Sequence, residues 1–272
     1  MELCTMEGCK LPGGQGLVAN QPGNRHPRNY QKELDGLLSS FEKNASLQSS
    51  KLQPGEQPAN RPSSLKPSLL LHACCGPCSS YCLEYLTHYF DITVFYYNPN
   101  IYPPEEYQRR FTELKNLYTR FPPALEGKVK VVEKAYQPED FYQAINVRNE
   151  PELATEPEKG ERCRRCYKFR LQAAFEYACQ GGFDYFCTTL SISPFKDAEK
   201  INLIGEALQG KVDALQGKAD DGKNDDFHKI PRWLPSDFKK KGGFKRSLEI
   251  SREYNLYRQD YCGCIYSKNN RK

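Results

Sequence analysis

Apolar residues fall into two alternating patterns from about Lys66 onward and into almost none before it. Short aliphatic, β-branched and aromatic runs at Ser68–Ala73, Ile92–Tyr97, Lys128–Val132 and Phe183–Thr189 have the length and composition of buried strands. Between them lie stretches of helical spacing: Cys78–Tyr89, Pro104–Arg120, Pro138–Val147, Arg164–Cys179 and Ala198–Leu208. Pro104 suits a first helical turn, where its missing N–H costs nothing. Gly181-Gly182 is a stop signal after the fourth of these helices. A short fifth strand is predicted within His228–Leu234 and a last helix at Ser247–Tyr254. Strand and helix in alternation predict an α/β fold, a parallel sheet with helices on both faces.

Residues 1–65 are rich in Gln, Asn, Gly, Pro and Ser. Only the stretch 30–41 has helical spacing there, with Leu34, Leu37, Leu38 and Phe41 on one face. We therefore expect a flexible N-terminal arm carrying one short docking helix, followed by a single catalytic domain over 66–272. Within that domain Ala207-Leu-Gln-Gly-Lys211 recurs as Ala214-Leu-Gln-Gly-Lys218, and an Asp-rich stretch follows. Two copies are too few for a repeat fold. An inserted surface loop near 209–225 is expected instead.

Charge adds little, since 39 Lys and Arg oppose 34 Asp and Glu. Cysteine adds much more, with 12 in 272 residues. The chain shows no signal-peptide core and no apolar run long enough to span a membrane. Many thiols on such a chain predict a reducing cytoplasm, where cysteines serve metals or catalysis rather than permanent cross-links. Cys82, Cys179 and Cys187 sit singly in apolar surroundings and read as core residues. Cys4 and Cys9 lie in the arm and carry no signal.

The other seven form three clusters, Cys74-Cys75-Gly76-Pro77-Cys78, Cys163-Arg164-Arg165-Cys166 and Cys262-Gly263-Cys264. The first lies where strand gives way to helix, the place at which open parallel sheets bind ligands. It lacks the glycines of a phosphate cradle, so thiols stand where a nucleotide loop would. Cys163 and Cys166 are three apart and share one helix face, with Arg162, Arg164 and Arg165 nearby to offset the charge of an anionic centre. The unequal spacings point away from paired zinc knuckles and toward redox metal chemistry. Cys262 and Cys264 could bridge only in a small strained ring, which suits a redox shuttle better than a staple. Lys239, Lys240, Lys241, Lys245 and Arg246 form the densest cationic run, flanked by aromatic residues, and are candidates for RNA contact.

On these residues the chain resembles the QueH family of epoxyqueuosine reductases. The tracts that carry the likeness include Asn29-Tyr-Gln-Lys-Glu-Leu34, Leu69-Leu-Leu-His-Ala-Cys-Cys-Gly-Pro-Cys-Ser-Ser80, Phe95-Tyr-Tyr-Asn-Pro-Asn-Ile-Tyr102 and Glu161-Arg-Cys-Arg-Arg-Cys-Tyr167. Thr188-Thr-Leu-Ser-Ile-Ser-Pro194, Leu234-Pro-Ser-Asp-Phe-Lys-Lys240 and Tyr257-Arg-Gln-Asp-Tyr-Cys-Gly-Cys264 complete them. The resemblance implies an adenine-nucleotide α-hydrolase-like (HUP-like) sheet without its nucleotide loop. It implies a [4Fe–4S] cluster on Cys74, Cys75, Cys163 and Cys166, and a redox-active pair, Cys262 and Cys264. It leaves Cys78 unassigned, with a second iron as its candidate role. The implied reaction removes the epoxide oxygen of epoxyqueuosine at the tRNA wobble position to give queuosine. The implied partners are that tRNA and an electron donor of unspecified kind, with no membrane.

Converting an epoxide to an alkene takes two electrons and two protons and expels water. Asp197, Tyr261 and Tyr102 are candidate proton donors. A tRNA thiolase relative would share the sheet but would need an ATP loop at 72–80, which is absent. A zinc-stabilised RNA-binding module without catalysis is the other rival. Iron with labile sulfide separates the reductase from it.

Overall fold

The structure, a computed structural model, describes residues 28–50, 66–216 and 229–270, with backbone alone at 44–50 and 211–216. Strands β1 (Ser68–His72), β2 (Asp91–Tyr96), β3 (Lys130–Glu133), β4 (Tyr185–Thr188) and β5 (Arg232–Trp233) form one sheet in the order β3-β2-β1-β4-β5. Every neighbouring pair is parallel. The described helices are α1 (Tyr30–Ser50), α2 (Gly76–Leu86), α3 (Pro104–Tyr118), α4 (Pro122–Glu126), α5 (Pro138–Ile145), α6 (Glu161–Gln180), α7 (Ala198–Gln216), α8 (Gly243–Glu253) and α9 (Ile265–Asn269). Each predicted element is present, with ends moved by a few residues. The larger extensions are at α1, α7 and the start of α8.

The period of two along each strand decides which layer a residue joins. Leu69 and Leu71, Ile92 and Val94, and Tyr185 and Cys187 face a core shared with α1, α2, α3 and α8. Leu70, Phe95 and Phe186 face the opposite core, shared with α6 and α7. Continuous apolar strands with both faces covered are what parallel sheets require. Each fully buried large side chain contributes about 1.5–3 kcal/mol of hydrophobic stabilisation. Cys82, Cys179 and Cys187 are buried in these two cores, as their surroundings in the sequence predicted.

The helix expected at 30–41 continues to Ser50 and belongs to the first core. Leu34 and Leu38 are buried, and the Phe41 ring meets Phe90 and Tyr185 edge-on at 5.5 and 5.9 Å. Asp35 accepts a 2.7 Å hydrogen bond from the Tyr85 hydroxyl of α2 and pairs with Lys241 ahead of α8. Replacing Leu34 or Leu38 by Ala is expected to cost about 2–5 kcal/mol, the range for a buried leucine. Chemical denaturation of the two variants checks this. A loss within experimental error would mean that α1 is not a structural part of the domain.

Of the loop expected near 209–225, residues 209–216 are helix instead. Helix α7 runs through Gln216, because Leu208 is buried and the Gln209 side-chain Oε1 accepts a 2.8 Å bond from the Trp233 backbone N–H in β5. The first copy of the duplicated segment is thus helix, tied to the sheet edge. Residues 217–225, like 1–27 and 51–65 of the expected arm, lie outside the described residues. Gly205 lets α7 approach that edge: a Cβ there would stand 2.1 Å from the Trp233 indole.

Candidate active site

The sheet order reverses at β1, whose neighbours lead outward through β2 on one side and β4 on the other. Loops leaving the carboxyl ends of β1 and β4 therefore part here and open a crevice. His72 closes β1 and is fully buried. The Thr188 hydroxyl accepts from the Leu190 N–H and shares a 2.8 Å hydrogen bond with His72 Nδ1. His72 Nε2 lies 3.2 Å from the Tyr97 carbonyl and 3.4 Å from Arg170 Nε. Burial, followed by the nearby Arg170 charge, pushes His72 down to about 3, so it is neutral and ties β1, β2 and β4 together.

Beyond His72 the chain passes Ala73 and Cys74 to Cys75, the N-cap of α2, with Pro in the first turn. Cys74 and Cys75 Sγ are 3.9 Å apart, and the sulfurs of Cys74, Cys75 and Cys78 all lie within 4.8 Å of one another. This is the one group of three or more metal-type ligands so closely gathered among the described residues. Hydrogen bonding from Cys75 and Cys78 holds Cys74 well below the ordinary thiol range. The same contact with Cys74 pushes Cys75 up to about 12. Cys74 and Cys75 are buried, and Cys78 is half-buried. The resemblance left the role of Cys78 unassigned, and its sulfur lies with those of Cys74 and Cys75.

Cys163 and Cys166 lie in the first turns of α6, both buried. The Glu156 carboxylate caps that helix, accepting from the N–H groups of Glu161 and Arg162 at 2.6 and 2.7 Å. Cys163 packs in the same apolar cluster as Cys74 and Cys75. Cys166 packs beside Cys264 in a small third cluster with Phe141 and Ile145 of α5. Burial raises Cys163, and it pushes Cys166 up to about 12.

Cys262 and Cys264 reach the site on a turn pinned to the loop after β2. Gly263, at φ 130°, accepts a 2.8 Å bond from Tyr102 N–H, and Arg110 Nη1 donates to the Cys262 carbonyl at 3.3 Å. A Cβ at Gly263 would lie 3.1 Å from Arg110 and 3.2 Å from Ile101. Only glycine combines that backbone conformation with such an approach. Cys264 is buried and caps α9, its sulfur accepting from Ser267 N–H at 3.4 Å. Cys262 is half-buried and receives a hydrogen bond from the Lys196 ammonium.

The cations around the thiols are not those expected from the Cys-Arg-Arg-Cys tract. Arg164 pairs with Glu161, and Arg165 with both Glu161 and Glu150, because residues one and two along a helix face elsewhere. Arg162 donates to the Leu153 and Ala154 carbonyls and lies 5.3 Å over the Tyr266 ring. Arg110 of α3 and Arg170 of α6 come closer to the sulfurs, and both are buried. Arg170 donates to Asn98 Oδ1 at 2.9 Å and contacts Cys166 Sγ at 3.9 Å, while Asn98 holds the Ala73 carbonyl at 2.8 Å. Arg110 pairs with Glu106 at 2.6 Å, and its Nη2 has no partner among the described residues. Burial works against the Arg110 charge, and the Cys75 and Cys74 sulfurs with Glu106 outweigh it. Nothing in the linear pattern marks Arg110 or Lys196. Arg170 could have been suspected from its place one turn beyond Cys166.

A cavity of about 450 Å³ opens over these sulfurs, lined among others by Cys74, Cys78, Lys196, Gln259, Tyr261 and Cys262. Gln259 donates from Nε2 to Cys75 Sγ at 3.1 Å. Of the candidate proton donors, Tyr261 lines the cavity and donates to the Tyr102 carbonyl. Burial pushes its phenol up to about 12. Tyr102 lies outside the wall, and Asp197 caps α7 and pairs with Lys200 at 3.6 Å. In the cationic run Lys239 pairs with Asp237 at 2.6 Å, Lys241 with Asp35, and Arg246 with Glu84 and Glu253. Those three hold α8 and its lead-in against neighbouring elements. Lys240 and Lys245 are exposed and make no ion pair among the described residues.

Residues 69–270 match the family described as "Epoxyqueuosine reductase QueH". A protein of that name from Streptococcus pyogenes is 37% identical over 235 residues, spanning 86% of this chain and 84% of that one. Proteins of the same name from Staphylococcus epidermidis and Staphylococcus aureus are each 35% identical over 239 residues, covering 88% of this chain and 84% and 83% of theirs. Both the cysteine crevice and the turn that carries Cys262 and Cys264 fall inside the matched segment, and the chain belongs to the QueH family of epoxyqueuosine reductases.

Proposed function

We propose that this protein reduces the epoxide of epoxyqueuosine, at the wobble position of a tRNA, to the alkene of queuosine. The observation that carries the reading is one cavity at the switch point of the sheet lined by Cys74, Cys78 and Cys262, with Cys163 in the apolar cluster of Cys74 and Cys75 and Cys166 in that of Cys264. Cys74, Cys75, Cys163 and Cys166 would hold a [4Fe–4S] cluster, and Cys78 is the candidate ligand of an additional iron. Three sulfurs within 4.8 Å, two buried guanidinium groups and an unpartnered Arg110 nitrogen suit an anionic thiolate-bound group. When bound, the cluster supplies one-electron transfer, and the additional iron supplies a Lewis acid for the epoxide oxygen.

The chain's own residues do the rest. The cavity falls within the range of small-molecule sites, about 300–1,000 Å³, so a single modified base can enter it. Enzymes that act on a base take it out of the stack, and an anticodon loop offers an unpaired one. Tyr261 keeps its proton at neutral pH and holds it at the cavity wall. The Cys262–Cys264 pair supplies two electrons per oxidation to the disulfide, matching one epoxide. No described helix is long and apolar enough to cross a membrane. A cytoplasmic enzyme fits both the free thiols and the tRNA substrate.

Anaerobic purification followed by iron, sulfide and EPR analysis tests the reading. So does conversion of epoxyqueuosine-containing tRNA, followed by nucleoside mass spectrometry. Iron with labile sulfide and a reduced nucleoside is the expected result. Zinc without sulfide, and no conversion, would reject it in favour of a structural RNA-binding module.

Within the cationic run, Lys240 and Lys245 are the side chains left free to meet phosphate. Replacing both by Ala is expected to weaken tRNA binding. It should also flatten the dependence of log affinity on log salt by up to about 2, since each phosphate contact contributes roughly 0.9. Filter binding at several salt concentrations checks it. An unchanged slope removes this edge from the RNA surface.

A further inference from the structure

Lys196 is 6% exposed, and its ammonium donates to Cys262 Sγ. It stands two residues beyond Pro194, on the loop that leaves β4, and it lines the same cavity as Cys262. An ammonium this deep is costly unless an anion accompanies it. The charged and titratable groups around the contact are few. Glu158 approaches from the loop before α6, Tyr167, Cys163, Cys166 and Arg170 face it from α6, and Cys264 lies on Cys262's own turn. Burial works against the Lys196 charge, yet the Cys262 sulfur, with Tyr167 and Glu158, holds it well above the ordinary lysine range.

The two sulfurs of the turn are therefore unlike. Cys262 is half-buried, faces the cavity and touches a cation. Cys264 is buried, and its sulfur accepts a backbone N–H at the start of α9. We infer that Lys196 and Cys262 form an ammonium–thiolate pair, so that Cys262 is the accessible, exchanging sulfur of the redox pair and Cys264 the interior one. This deepens the proposed function and rests on it in treating the two cysteines as a redox pair.

The exchange step balances with a small external dithiol as reductant. One reductant thiolate attacks Cys262 Sγ, the Cys262–Cys264 bond breaks, and Cys264 leaves and takes up a proton. The second reductant thiol then attacks its own sulfur in the mixed disulfide and closes the oxidised dithiol. Cys262 is expelled as a thiolate against the Lys196 ammonium. Two electrons pass to the pair, and the reductant is oxidised by two. In this scheme Lys196 is a positioning residue: it acts on the reductant only through Cys262.

The test uses the anaerobically reduced, metal-loaded protein and reads no reductase activity, so its failure is separate from failure of the proposed function. Iodoacetamide at pH 7 with peptide mass spectrometry gives the alkylation rate of each cysteine. Cys262 is expected to react at least about 10-fold faster than Cys264 in the wild type, since a cation beside a thiol raises its thiolate fraction. Lys196→Met should slow Cys262 by about 10-fold with iron and sulfide content retained, and Lys196→Arg should restore most of the rate. Should Lys196→Met fold poorly, Cys264→Ser in a wild-type background serves instead. Glutathione disulfide should then form a stable mixed disulfide at Cys262, whereas Cys262→Ser should leave Cys264 unmodified. Equal rates at the two cysteines, an unchanged Lys196→Met, or mixed disulfide at Cys264 would overturn the inference.

Discussion

Replacing Cys74, Cys75, Cys163 or Cys166 by Ala is expected to strip the protein of its brown chromophore and most of its iron and sulfide. The sulfurs of Cys74 and Cys75 lie 3.9 Å apart, and Cys163 shares their apolar cluster. Around them stand two buried guanidinium groups, Arg110, which pairs with Glu106, and Arg170, which contacts Cys166 Sγ. Loss of a partner outside the ligand shell typically lowers metal affinity by about 10–100-fold, so loss of a ligand should exceed ~100-fold. Each thiol-to-methyl change is small in volume and should leave the fold intact, which circular dichroism can verify. Cys78→Ala is the informative companion, because its sulfur is within 4.8 Å of both Cys74 and Cys75. If it serves an additional iron, the variant keeps its sulfide and loses only part of its iron. If sulfide falls as well, Cys78 belongs to the cluster in place of an α6 thiol. Four single variants with full iron and sulfide would sink the ligand set.

The second large effect is at the Cys-Gly-Cys turn. Cys262→Ser and Cys264→Ser are each expected to abolish multiple turnover while leaving the chromophore's spectrum nearly unchanged. Neither sulfur is in the tight group formed by Cys74, Cys75 and Cys78, and Cys264 is engaged at the start of α9. A serine cannot form the disulfide, so each variant should stop after the electrons already stored have been used, at about one product per enzyme or fewer. Quantifying queuosine per enzyme in a single batch reaction separates this from slow catalysis. Bleaching of the chromophore in either variant would make that residue a ligand rather than a shuttle.

How much of this was legible in the linear pattern depends on distance along the chain. The strand and helix alternation followed from local periodicity, because the step of a strand and the turn of a helix are properties of the backbone itself. The placement of Cys74 and Cys75 at a strand-to-helix turn followed in the same way. So did the shared face of Cys163 and Cys166. The QueH tracts could be recognised because they are short and contiguous. Ends that depend on distant partners were misjudged. Helix α7 runs past residue 209 because Gln209 reaches Trp233, and α1, which continues past residue 41, is one side of a core whose other walls lie up to about 220 residues away.

The charges show the same division. Sequence adjacency suggested that Arg164 and Arg165 would neutralise the thiols and that all five cations of 239–246 would face RNA. Folding spends Arg164 and Arg165 on Glu161 and Glu150, and Lys239, Lys241 and Arg246 on Asp237, Asp35 and Glu84. Arg110, Arg170 and Lys196 stand beside the sulfurs instead, each delivered by a different element. Types of residue and their spacing along one element are written in the sequence and determine which chemistry is available. Which cation meets which thiol depends on elements packed together from far apart in the chain, and only the tertiary structure decides it.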